Sequence, residues 1–457
     1  MTAAWDLARA EEHLLSLELF GMRFGLERMR RLLTVLGSPQ ERFRAVHVVG
    51  TNGKSSTVRF TAALLEGHGL RTGSYLSPHL TSYAERVRVG DADIPAQDFA
   101  AAIQRTAAAA AKVDRTLTGG ERVTQFELLT AAAFSELARR EVEVAVVEAG
   151  LGGRWDATNV LGAEVVVLTN VGLEHTRWLG PTIADIAGEK LAVVREGATL
   201  VLGDESPEVL ALAQATGAKI VRPVLAGATA SARADVPGAG GERPRADVTG
   251  AGAETPGAEA PAAAAATPPA ETSPALAAAL AGELPGYQRG NFAAALAAAE
   301  ALLGHPLDVE AVARVAAGAR VPGRLQVVAQ RPLTVYDGAH NAPGIAALAA
   351  SVPEGTVAVL SILDDKDAAE MLRALLPRLS AAVFTRAPNP RALSPATLAD
   401  LASKVGGVHS EIEPDPRRAV ERARELAGEN GTVLATGSIY LVAELLSAPG
   451  QRRASAL

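Results

Sequence analysis

The segment that most constrains this chain is a short apolar run, Ala45–Val49, that feeds directly into Gly50-Thr51-Asn52-Gly53-Lys54-Ser55-Ser56 and then a helix-forming stretch, Thr57–Gly67. A buried strand, a glycine-rich turn and a helix in that order aim backbone N–H groups and a helix N-terminus at one point. That is the physical recipe for holding a polyphosphate. Gly53 permits close approach, Lys54 supplies charge, and Ser55 or Ser56 offers a hydroxyl to Mg²⁺. The full pattern places a glycine six residues before the lysine, where this chain has Val48, so the loop is a variant whose first glycine is Gly50. We read Gly50 through Ser56 as a nucleoside-triphosphate-binding loop.

The rest of the chain supplies a matching architecture. Further apolar runs at Val144–Glu148, Glu164–Thr169, Thr199–Leu202 and Lys219–Val221 are separated by helical stretches such as Phe126–Arg139 and Ile183–Val194, and a helical pattern from Ala3 to about Leu36 precedes them. Near-continuous apolar strands alternating with helices predict a mostly parallel sheet covered on both faces. After a helix around Asn291–Leu303 and the stretch Ala313–Ala319, Val321-Pro322-Gly323-Arg324 reads as a hinge. Strands near Leu325–Ala329, Leu333–Tyr336, Thr356–Leu360, Ala381–Phe384 and Thr432–Ala435 then form a second doubly wound block. The predicted fold is α/β: an N-terminal P-loop ATPase domain with a parallel sheet over 1–320, and a C-terminal Rossmann-like domain over 321–457. Between Ala226 and Ala275 there is no Leu, Ile, Phe, Tyr, Trp or Met. Such a segment cannot bury enough apolar surface to order itself, and it reads as a flexible insertion.

Composition narrows the function. With 44 Lys+Arg against 51 Asp+Glu, the net charge of −7 argues against a nucleic-acid footprint. The absence of cysteine removes disulfides, thiolate metal sites and cysteine nucleophiles. Charges at Asp6, Arg9, Glu11, Glu12, Arg23 and Glu27 argue against a leader peptide, and no long uncharged apolar run suggests a membrane span. The expectation is a cytoplasmic monomer acting on small molecules.

Several blocks, in order, make the pattern specific. They are Ser77-Pro78-His79-Leu80, Glu148 through Arg154 (EAGLGGR), Asp156-Ala157-Thr158-Asn159, Thr169 through Thr176 (TNVGLEHT) and Asp337-Gly338-Ala339-His340-Asn341. With GTNGKSS, Gln288–Asn291, Pro322-Gly323-Arg324 and Thr436-Gly437-Ser438, this set resembles the Mur ligase superfamily, and in particular folylpolyglutamate synthase/dihydrofolate synthase. The resemblance implies an ATP-dependent ligase joining a pterin or folate carboxylate to L-glutamate. It implies Mg²⁺ held by Ser77, Glu148 and His175, and ATP contacted by Asn291, Arg324 and Asp337. It also implies a carbamylated Lys190 and a pterin-side pocket formed by Thr124, Gln125, Phe126 and Glu127 with Trp155, Asp156 and Ala157. The catalytic set is Lys54, Lys190 and His340. The residues alone leave ordinary alternatives open: Glu148 as a solvated strand end, Ser77 as a turn residue, His175 as a structural histidine, and Lys190 as an exposed helix lysine paired with a glutamate. Thr124 and Glu127 have capping-box spacing, which explains them without substrate, and Phe126 and Trp155 suit either core or a stacking surface. Asn291, Arg324, Asp337 and His340 suit interdomain packing as well as a clamp. Gly188 falls in the Lys190 helix and predicts a loosened turn there. Trp178-Leu179-Gly180 also resembles the bifunctional enzymes. A cell-wall ligase and a P-loop ATPase without ligase activity remain the competing readings.

Overall fold

The computed structural model describes residues 3–17, 25–223, 284–318 and 320–448, so the composition-biased segment 226–275 lies outside the described residues. The chain begins with α1 (Leu7–Ser16), α2 (Glu27–Val35), β1 (Arg44–Val49), α3 (Lys54–Gly67) and β2 (Thr72–Tyr75). It continues through β3 (Val87–Val89), β4 (Ala92–Asp93), α4 (Ala96–Asp114), α5 (Gln125–Arg139), β5 (Val144–Glu148) and β6 (Val165–Leu168). Then come α6 (Thr176–Leu179), α7 (Ile183–Leu191), β7 (Thr199–Leu202), α8 (Pro207–Ala215), β8 (Lys219–Val221), α9 (Gln288–Leu303) and α10 (Val309–Gly318). The second block runs β9 (Gln326–Gln330), β10 (Leu333–Tyr336), α11 (Ala342–Ala349), β11 (Thr356–Leu360), α12 (Ala368–Leu375) and β12 (Leu379–Phe384). It closes with α13 (Pro395–Val405), β13 (His409–Ile412), α14 (Pro416–Ala427), β14 (Thr432–Thr436) and α15 (Ile439–Leu446).

Among the described residues the first sheet has the order β4-β3-β2-β5-β1-β6-β7-β8, parallel from β2 to β8, with β3 and β4 antiparallel at one edge. The second has the order β13-β12-β11-β14-β10-β9, parallel except for β9. Both sheets are mixed but mostly parallel, as the apolar runs predict, with antiparallel strands only at an edge. The extra edge strands were invisible because they are short and partly exposed. Strand β2 was missed for another reason: Thr72-Gly73-Ser74-Tyr75 is not apolar, yet all four residues are buried. A Cβ on Gly73 would lie 2.5 Å from Leu137 Cδ2, so only glycine lets α5 pack there.

Alternation along the strands builds the two covered faces. Val46, Val48, Val144, Val146, Val165 and Val167 point to one side and pack with Phe60, Phe292 and Leu296. Ala45, Val49, Ala145, Val147, Val166 and Leu168 point to the other, against Leu128, Phe134 and Leu137. A period of two with both faces apolar yields a strand that is buried all round, and each such valine contributes about 1.5–3 kcal/mol. The helices α9 and α10 join the first of these cores through Phe292 and Leu302 and through Val312 and Ala316, and Val321 follows them into it. The second sheet repeats the device, with Leu360, Phe384 and Leu434 on one face and Val359, Val383 and Val433 on the other. The expected single helix from Ala3 to Leu36 is instead α1 and α2: Leu17 turns extended (ψ 157°), and Gly25 at φ 118° precedes α2.

Candidate active site

The C-terminal ends of β1, β2, β5 and β6 in the first sheet, and of β10 and β14 in the second, open onto one cavity of about 800 Å³. Crevices beyond the carboxyl ends of parallel strands are where such sheets bind ligands. The loop Gly50–Ser56 forms one wall, and α3 begins at Lys54 with its N-terminus towards the cavity. A Cβ on Gly50 would fall 1.9 Å from Thr169 Oγ1, and one on Gly53 (φ 84°) 2.3 Å from Asn291 Oδ1. Both glycines are thus required by neighbouring side chains as well as by any anion. The loop is pinned from β6: Thr169 Oγ1 donates to Asn52 O (2.6 Å), Asn170 O accepts from Thr51 N–H (2.9 Å), and Asn170 Oδ1 accepts from Asn52 N–H (2.9 Å). Lys54 Nζ donates to the Gly50 and Thr51 carbonyls at 3.1 and 3.0 Å, which holds the ammonium over the loop.

Beside the loop, Glu148 ends β5 and is 2% exposed, which removes the solvated-end alternative. Its carboxylate accepts from Ser55 Oγ–H (3.0 Å) and Ser77 N–H (3.2 Å). Burial pushes this carboxyl up, against the opposing pull of Lys54, the two serine contacts and Arg324. Ser56, also on the cavity wall, has its Oγ buried with no hydrogen-bond partner. A buried carboxylate flanked by hydroxyl groups fits a hard divalent cation, which takes few protein ligands and completes its shell with phosphate oxygens and water. Among the described residues no three His, Cys, Asp or Glu side chains cluster closely enough to hold a metal alone. The donor set is therefore one carboxylate plus hydroxyls, with His175, exposed at the N-terminus of α6, also on the cavity wall.

Lys190 is 4% exposed, and its ammonium donates to Gly50 O at 2.8 Å. The surface-pair alternative fails, because the adjacent Glu189 bonds Arg154 at 2.8 Å instead. Burial, helped by Lys54, pushes the Lys190 amine down to about 7, which makes the neutral nucleophilic form accessible near neutrality. Gly188 does not break α7, which runs unbroken from Ile183 to Leu191.

The opposite wall comes from the second block. Arg324, Asp337 and His340 line the cavity from there, and Asn291 of α9 lines it from the first block beside Gly53. Asp337 is fully buried with its oxygens already engaged, by Tyr287 O–H (2.5 Å), Leu325 N–H (2.8 Å) and Ala339 N–H (2.8 Å), so it braces the hinge. His340 Nδ1–H donates to Gly338 O at 2.8 Å. Its Nε2 lies 3.6 Å from Glu174, which also takes Lys366 at 3.5 Å and His175 at 3.7 Å. Burial alone would raise the Glu174 carboxyl, but His340, Lys54 and His175 hold it well below the usual carboxylate range. Asp365 sits between Lys366 (3.5 Å) and Arg391 (3.6 Å). Lys366, Arg391 and Tyr287 were not singled out in the sequence, and Glu174 stood only inside the TNVGLEHT block with no role given. The available signal was the charged run Asp364–Asp367, placed at the carboxyl end of a buried strand.

The 124–127 and 155–157 segments do not line this cavity. Thr124 and Glu127 form a complete capping box on α5, Glu127 pairs with the buried Arg28 at 3.2 Å, and Gln125 donates to Leu14 O at 2.7 Å. Asp156 is spent on Leu151 N–H (2.8 Å) and on Thr158, and Ala157 is core. Phe126 is half-buried, with its ring edge 2.4 Å from where a Gly150 Cβ would sit, and Trp155 is 38% exposed.

Residues 323–439 match the family model "Mur ligase, glutamate ligase domain". A Mycobacterium tuberculosis dihydrofolate synthase/folylpolyglutamate synthase is 34% identical over 88% of this chain and 80% of its own length. The structure of Mycobacterium tuberculosis folylpolyglutamate synthase complexed with ADP superposes with a TM-score of 0.79 at 28% identity, covering 98% of this chain and 99% of that one. A bifunctional folylpolyglutamate synthase/dihydrofolate synthase solved with Mn, AMPPNP and L-glutamate bound gives 0.74 at 27% identity, covering 98% of each chain. Sequence and fold agree over nearly the whole length, and the chain belongs to the folylpolyglutamate synthase/dihydrofolate synthase family.

Proposed function

We propose that this protein uses ATP to join the amine of L-glutamate to the carboxylate of dihydropteroate, of a reduced folate, or of both. The observation that carries this is a phosphate loop and a cationic amino-acid wall facing each other across one cavity. The relatives solved with ADP, and with Mn, AMPPNP and L-glutamate, support it. A carboxylate is a poor electrophile. Attack of its oxygen on the γ-phosphorus breaks the bond to ADP and leaves an acyl phosphate, and the glutamate nitrogen then displaces phosphate. The protein's part is positioning and charge stabilisation. The loop N–H groups and Lys54 hold the phosphates, and Arg324 adds charge from the hinge side. Mg²⁺ held by Glu148, Ser77 and His175 would supply further positive charge to the transferring group. Lys366 and Arg391 suit the carboxylates of the incoming glutamate, and His340, on the same wall beside Glu174, suits the proton its ammonium must lose. Lys190, with a neutral amine within reach, is read as the carbamylated position. The 124–127 and 155–157 segments are read as backing the pterin side through Phe126 and Trp155.

We place the domain boundary at 320/321, where Gly323 (φ 64°) and Leu325 (φ 46°) bend the chain. Since one chain builds the entire cavity, we read the working unit as a monomer, to be checked by sedimentation. No described helix is long and apolar enough to cross a membrane. The test is purified protein with ATP, Mg²⁺ and labelled L-glutamate, offered dihydropteroate, tetrahydrofolate or a muramyl nucleotide separately. Amide product with a pteridine acid and one phosphate per amide is expected. Phosphate release without amide, or product only with the muramyl nucleotide, overturns the reading.

A further inference from the structure

The phosphate loop and the second domain are joined by a pair of side-chain amides. Asn52 Nδ2–H donates to Asn341 Oδ1, and Asn341 Nδ2–H donates to Asn52 Oδ1, both at 3.1 Å. Each partner is fixed independently. Asn52 is held at its N–H by Asn170 and at its carbonyl by Thr169, so the backbone that carries its side chain is fixed. Asn341 caps α11, where Oδ1 also accepts from Gly344 N–H at 2.8 Å. Space for the pair depends on Gly344, because a Cβ there would lie 2.8 Å from Asn341 Oδ1 and 3.5 Å from Asn52 Oδ1. Two donors and two acceptors exchanged between planar amides define distance and orientation together, which a single ion pair does not.

We propose that Asn341 is a positioning residue that registers the amino-acid wall against the phosphate loop through Asn52, so that the acyl phosphate meets the glutamate amine and not water. The inference rests on the ligase reading above. Loss of the pair leaves both half-sites intact but lets them misalign. Water then takes the acyl phosphate, returning the free acid and inorganic phosphate, and ATP is consumed without amide. Closure that excludes water is the general means by which such enzymes protect a reactive intermediate.

The variant Asn341→Ser tests this, because serine caps a helix as well as asparagine does but cannot reach Asn52 with an amide. Phosphate released per amide formed is measured alongside the melting temperature. We expect wild-type melting and a ratio rising from one to about three or more, the low end of coupling between touching groups. A ratio that stays at one overturns the proposal. Should Asn341→Ser melt early, Gly344→Ala decides: it keeps both asparagines and favours helix, so a raised ratio there supports the pair and a ratio of one overturns it. A wild type that forms no amide at all overturns the ligase reading itself, and this inference falls with it.

Discussion

The two walls of the cavity are made from different material. The N-terminal wall is mostly backbone and hydroxyls: a seven-residue loop at the ends of parallel strands, with one buried carboxylate and two lysines, Lys54 and Lys190, folded back onto it. The C-terminal wall is long side chains, Arg324, Lys366, Arg391 and His340, faced by Glu174 from the first block and Asp365 from the second. A backbone wall recognises what every nucleotide shares, the phosphate chain. A side-chain wall recognises carboxylates and can be retuned one residue at a time without disturbing the fold. The difference predicts that damage to the two walls separates cleanly in kinetics.

The largest effect is expected from Lys54→Ala, which removes the loop's own cation: amide formation should fall by about 10³-fold. Survival of turnover within tenfold in a steady-state assay would break the comparison at its firmest point. Next, Lys366→Ala should raise KM for L-glutamate by about 30-fold while KM for ATP stays within a factor of about three. Equal changes in both constants would mean that the walls are not separate. A third test concerns the buried amine of the first wall. The folded-state pKa of Lys190, about 7, lies below its ordinary 10.5, so the unfolded chain binds more protons between those values. Wild-type stability should therefore rise with pH from 7 to 10.5, with the whole penalty present below 7. Lys190→Met should abolish that slope, by on the order of 2 kcal/mol between pH 7 and 9 in denaturant titrations. Parallel stability curves for the two proteins would contradict it. The smallest effect is Glu127→Gln, a weakened cap and a lost partner for Arg28, expected to cost about 1 kcal/mol of stability. If instead KM for dihydropteroate rises tenfold at unchanged stability, residues 124–127 belong to the substrate and not to the scaffold.

These regions also mark what could be read from sequence. The loop wall was legible because its chemistry follows from local order, a strand, then glycines, then a helix, and Gly50 through Ser56 all line the cavity. Strand β5 was predicted to the residue because Val144–Glu148 is buried on both faces. The long-side-chain wall was only half visible. Lys366 and Glu174 come from residues far apart in the chain and meet only when the two sheets face each other. Thr124 and Glu127 show the reverse case, in which a local hydrogen-bond explanation was sufficient and the structure uses it. Strand β2 could not be read because its burial depends on a missing side chain, at Gly73, and not on apolar ones.

The lock between Thr169 and the loop has a thermodynamic consequence. Because a neighbouring strand shapes the turn through Gly50, the nucleotide meets a finished cradle and surrenders little affinity to moulding it. Encounter with ATP should then be fast and nearly independent of the second domain. Slow, selective events are left to the charged side chains of the opposite wall.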